Sequence, residues 1–109
     1  MLRHHLRCAL WTTVAALLAA ATPGRAESIP ESLLAADYDS CVDAASKNRH
    51  LTPAQVDAYC SCARDEIRQR FDFETYTKSS VELGTGNAST ETTQMMQGVV
   101  HDCVNRTLR

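Results

Sequence analysis

The chain has 109 residues, 11 basic and 13 acidic, for a formal charge of −2; 44% are hydrophobic and 22% charged. That leaves room for one small domain with a modest core. Removing the N-terminal segment described next takes away three of the 11 basic residues and none of the 13 acids, so the charge falls to −5, a poor match for nucleic acid or an anionic membrane surface.

Residues 1–26 have the layout of a cleaved secretory signal. Arg3 and Arg7, with no acid near them, make a positive start. Residues 8–21 are apolar apart from Thr12 and Thr13, a stretch suited to a signal core and short for a bilayer span. Pro23 and Gly24 break a helix, and Gly24-Arg25-Ala26 sets small residues at positions −3 and −1 of a cleavage site. Cleavage is expected after Ala26, with Ala21 as second choice; an uncleaved anchor helix is disfavoured on length. No Arg-Arg pair marks the twin-arginine route, and Cys8 precedes the apolar run, where a lipoprotein cysteine would follow it. Cys8 should therefore leave with the signal. Residues 27–109 then form one domain, and no second apolar run predicts stable membrane insertion after cleavage.

The pattern of residues 27–109 is helical throughout. A first helix is expected over residues 30–46, with an apolar stripe at Leu34, Tyr38, Cys41, Val42 and Ala45. The second has the clearest start signal in the chain: Thr52 as N-cap, Pro53 at the first helical position and Gln55 placed to complete a capping box. Its stripe is Val56, Tyr59, Cys60, Ala63, Ile67 and Phe71, while Asp65 and Glu66 read as a solvated face. A shorter helix should follow Asp72 as N-cap, carrying Phe73, Tyr76, Thr77 and Val81 and ending at Leu83. Gly84-Thr85-Gly86-Asn87 reads as a loop. Thr90 is the expected cap of a last helix, with Met96, Val99, Val100, Cys103 and Val104 as its stripe. The expected fold is all-α, a small disulfide-stapled bundle of three main helices plus one shorter helix.

Four cysteines remain in the domain: Cys41, Cys60, Cys62 and Cys103. An even number in a short exported chain predicts two disulfides, because so small a core is marginal alone. Cys60 and Cys62 leave one helix roughly 200° apart, so each should reach a different helix. Cys41 and Cys60 stand at nearly equal distances from the turn around His50 and Leu51, which favours Cys41–Cys60 and Cys62–Cys103 over the crossed pairing. Cys62 lies at the edge of the apolar stripe and should be the more exposed of its pair, an awkward match for Cys103 on a core stripe.

Chemistry of a sharper kind has less behind it. One reading makes Cys60 and Cys62 a soft-metal or thiol-redox site, with His101 and Cys103 completing a zinc set. On a regular helix, however, His101 points roughly 160° away from Cys103. Cys60 also lies about two turns into its helix, beyond much help from the helix dipole, although Arg64 is within reach. His50 and His101 sit in polar surroundings, and neither a nucleophile elbow nor a zinc-hydrolase motif occurs. No catalytic residue, metal ligand or cofactor is therefore assigned, and the chain is not expected to be an enzyme. Met95 and Met96 read as core filling before they read as a binding surface. Asn87-Ala88-Ser89 and Asn105-Arg106-Thr107 match a glycosylation acceptor that matters only in a eukaryotic host.

Tyr38-Asp39-Ser40-Cys41, then Ala58-Tyr59-Cys60-Ser61-Cys62, then Phe71-Asp72-Phe73-Glu74 and a late Cys103 resemble a pattern in small exported proteins of proteobacteria. Those proteins pair an aromatic-x-x-Cys helix with a Tyr-Cys-x-Cys helix and a C-terminal cysteine. The resemblance spans most of residues 27–109. It implies a Gram-negative periplasm and a disulfide framework, and no particular activity. The expected role is that of a binding or interaction module for another envelope protein; the alternative is a metal-binding or thiol-redox protein using Cys60 and Cys62.

Overall fold

The computed structural model describes residues 26–109. The expected signal, with Cys8 and the apolar run, lies outside the described residues except for Ala26. Four helices follow in order: α1 Glu31–Ala45, α2 Pro53–Arg70, α3 Phe73–Thr85 and α4 Thr90–Thr107. No strand occurs among the described residues, and α3, with 13 residues, is the shortest helix. The fold is all-α.

Local chemistry sets three of the four helix starts. Thr52 Oγ1 accepts from the Gln55 N–H at 3.1 Å, and the Thr52 N–H donates to Gln55 Oε1 at 2.9 Å, so the capping box before α2 is complete. Thr52→Ala should cost about 1 kcal/mol in a urea melt. Asp72 caps α3 by accepting from the Thr75 N–H at 2.7 Å. The cap of α4 is Ser89, not Thr90, because the Ser89 hydroxyl accepts from the Thr92 N–H at 3.2 Å. Before α1 there is no side-chain cap; the Pro30 carbonyl takes the Leu33 and Leu34 N–H groups at 3.0 and 3.3 Å.

The expected glycine loop is shorter than its composition suggests. Gly84 and Thr85 continue α3, and the turn comes at Gly86, whose φ of 74° is the left-handed conformation that glycine adopts without a Cβ clash. The Gly86 and Asn87 N–H groups donate back to the Leu83 and Glu82 carbonyls, closing the helix end in a Schellman arrangement.

Helix α2 lies at the centre, packed against α1 on one side and α4 on another. The core gathers Ile29, Leu34, Phe71, Val99 and Cys103, with Tyr59, Cys62, Ile67, Tyr76 and Met96 packed around it. Ile29 comes from the segment ahead of α1, which also runs past the start of α3, where the Phe73 N–H donates to the Glu27 carbonyl at 2.8 Å. Helix α3 joins its neighbours through polar contacts: Tyr76 Oη donates to Asp37 on α1 at 2.7 Å, and Ser79 pairs with Thr92 on α4 at 3.2 Å. Burial and the Asp37 hydrogen bond together push the Tyr76 hydroxyl up to about 12.

Two expected stripes need correction. Val81 and Leu83 are 61% and 49% exposed, and α3 buries Ser79 instead. On α4 the buried positions are Thr92, Val99 and Cys103, while Val100 is 43% exposed. The apolar rows of both helices are wider than the neighbours that cover them.

Candidate functional site

The four cysteines close two disulfides, Cys41–Cys60 and Cys62–Cys103, each with its Cα atoms 5.7 Å apart. The first ties α1 to α2 and the second ties α2 to α4. Cys60 and Cys103 are fully buried, whereas Cys41 and Cys62 are partly exposed. Beside the first bridge the Arg64 guanidinium lies over the Tyr38 ring at 5.3 Å, and both side chains line a pocket of about 50 Å³ with Cys41 and Cys60. His101 stands on the surface, 76% exposed, beside Asp102 and Asn105. Among the described residues no group of three or more His, Cys, Asp or Glu side chains is placed to hold a metal ion.

Next to the Cys62–Cys103 bridge lies a feature that the sequence reading missed. Glu66, expected on a solvated face, is 7% exposed. Its carboxylate accepts from Arg106 of α4 at 2.7 Å and from Arg70 of its own helix at 2.8 Å. Arg70 donates in turn to Asp102 of α4. A Cβ at Gly98 would stand 2.9 Å from Arg70 Nη1, the movable end of that side chain. Because α2 has neighbours on two sides, it buries two stripes: Cys60 faces α1, and Cys62 and Glu66, one turn apart, face α4. Glu66, seven residues after Tyr59, flanks the apolar stripe on the side that α4 covers, and so lands inside the molecule.

Arg106, and then Arg70, hold the Glu66 carboxyl below its ordinary range; Arg70 does the same for Asp102. The charged forms are favoured in the fold, so their contribution is fully present above the unfolded carboxyl range of about pH 4. It is lost as pH falls through the lower, folded values. Stability measured by urea melts should therefore drop between about pH 4.5 and pH 2. Glu66→Gln should show a flatter drop than the parent chain, and an unchanged profile would remove Glu66 from the acid response.

A groove of about 480 Å³ lies between α3 and α4. Its floor is Leu83 from α3 with Met96, Val100 and Val104 from α4, and Arg109 closes one end. The residues at 96, 100 and 104 repeat every four positions and so form one ridge along the helix. No carboxylate side chain lines the groove, although the domain is acid-rich. A second concavity of about 510 Å³ lies at the start of α3, and one of its walls, Ala26, joins residues outside the described region. No described helix is long and apolar enough to cross a membrane.

These features define a class: among the described residues, an all-α arrangement of four helices whose central helix is bonded by disulfides to the helices on either side. Compared with protein families, curated proteins and solved structures, the chain gives no match.

Proposed function

We propose that this chain is an exported, periplasmic helical domain that works by binding another envelope protein. The observation that carries the reading is the α3–α4 groove, where Leu83 and Val100 remain 49% and 43% exposed beside Met96 and Val104. Contiguous apolar surface held open on a rigid scaffold is the usual mark of a recognition face. The two closed disulfides suit an oxidising compartment, and the signal-like N-terminus and the proteobacterial Cys pattern point the same way.

A photo-crosslinking residue tests the reading directly, placed at position 100 of the full chain in living cells, with position 47 as control. Lys47 is 77% exposed and lies in the turn after the end of α1 at Ala45. A discrete adduct to another protein from position 100, and none from position 47, is the expected result. A chain crosslinking from neither position, or equally from both, does not bind through this groove.

The thiol-redox alternative was expected on Cys60 and Cys62, which close different disulfides. It would have to use the Cys41–Cys60 bridge, where the charge of Arg64 would favour a thiolate once the bond is opened. Intact mass of the purified periplasmic protein, alkylated with and without reduction, separates the two readings. The binding reading expects a chain starting at Glu27, four hydrogens light and alkylated only after reduction. Free thiols without reduction would move the site to Cys41 and Cys60.

A further inference from the structure

We infer that the α3–α4 groove takes an amphipathic helix of the partner, laid antiparallel to α4, with a carboxylate in its first turn meeting Arg109. This deepens the binding reading above and rests on it.

Three observations specify the occupant. The first is the floor. Met96, Val100 and Val104 lie four residues apart, and Thr93, Gln97, His101 and Asn105 form a parallel polar row beside them. Rows at that spacing are the ridges between which a second helix packs. The apolar row covers eight residues of rise, about 12 Å, or roughly two turns of the incoming helix. An extended peptide would lay unpaired N–H and C=O groups on apolar side chains, because α4 satisfies its own backbone and offers no strand edge. A helix carries its backbone bonds within itself.

The second is charge. Arg109 lines the groove and no Asp or Glu does, while the domain as a whole stands at −5. The groove thus accepts an acidic approach that the rest of the surface repels. A second copy of this chain, itself at −5, is the less favoured occupant.

The third is direction. Arg109 lies just past the end of α4 at Thr107, where the helix dipole is negative. An antiparallel partner brings its positive N-terminal end there, and acidic residues are at home in a first turn. One carboxylate then serves its own helix and Arg109 together.

Two helix-forming synthetic peptides test this against the full mature chain, with affinity measured by titration calorimetry at low salt. Both carry leucine at i, i+4 and i+7; one has glutamate in its first turn and the other lysine at the same place. The glutamate peptide should bind roughly five- to tenfold more tightly, the scale of an exchange between a partly exposed attraction and a repulsion. Arg109→Glu should reverse that order. Val100→Asp should weaken both peptides at least tenfold, and Leu83→Asp should do the same, each in a chain whose melting temperature matches the parent.

Equal affinities for the two peptides would overturn the charge-directed helix while leaving the crosslink from position 100 to decide the binding reading. Binding of neither peptide, or binding untouched by Val100→Asp and Leu83→Asp, would overturn the helix as occupant. A dimer in sedimentation that Val100→Asp dissociates would also overturn it, and would give the groove to a second copy.

Discussion

Removing the Cys62–Cys103 bridge is expected to bring the domain close to unfolding. The bond joins residues 41 positions apart, against 19 for Cys41–Cys60. Restriction of the unfolded chain grows with loop length and corresponds to about 4 kcal/mol for the longer loop and about 3 kcal/mol for the shorter. A domain of this size has a total stability of about 5–15 kcal/mol, so either loss is a large fraction. Cys103→Ser adds a further cost, since Cys103 is fully buried and the new hydroxyl has to find a partner inside the core. We expect its melting temperature to fall by about 15 °C or more, with reduced yield. Cys41→Ser should fall less, because Cys41 is partly exposed and its loop is shorter. The paired variants Cys62→Ala with Cys103→Ala, and Cys41→Ala with Cys60→Ala, give the same comparison without a stray thiol. A melt within a degree or two of the parent for the first pair would show that the bridge does not hold the fold.

Phe71→Ala is expected to have an effect of similar size for a different reason. Phe71 ends α2, is 5% exposed, and belongs to one core cluster with Ile29, Leu34, Val99 and Cys103. It therefore joins the N-terminal segment, α1 and α4 at the point where the chain turns into α3. Truncating a buried phenylalanine costs about 3–5 kcal/mol, the sum of lost transfer energy and an unfilled cavity. Phe71→Leu should cost clearly less, because most of the volume is kept. Urea melts of both variants, read against the parent slope, decide the matter. Equal midpoints for Phe71→Ala and the parent would mean that this corner is not part of the cooperative core.

The features legible in the residues were those whose partners are close in sequence. Thr52 and Gln55 are three positions apart, and so are Asp72 and Thr75, so their hydrogen bonds could be read directly from spacing. The same holds for the angle between Cys60 and Cys62, which sends them to different helices. The error at Thr90 was small and of the same local kind: two hydroxyl residues stand side by side, and both can cap. Gly84 misled because composition alone does not say which of two glycines takes the left-handed turn.

Glu66, Leu83 and Val100 were misplaced for another reason. Periodicity shows which residues of one helix share a face, and carries nothing about how many neighbours that helix will have. Helix α2 is flanked on two sides, so a charged residue at the edge of its apolar stripe meets Arg106 from 40 positions further along the chain and is buried there. On α4 the apolar row is wider than its neighbours cover, so Val100 is left facing a groove. The amino-acid sequence by itself determined the all-α class, most helix starts and the separate destinations of Cys60 and Cys62. Tertiary structure alone decided which carboxylate is buried and which apolar side chains stay open to a partner, because burial depends on groups that arrive from far along the chain.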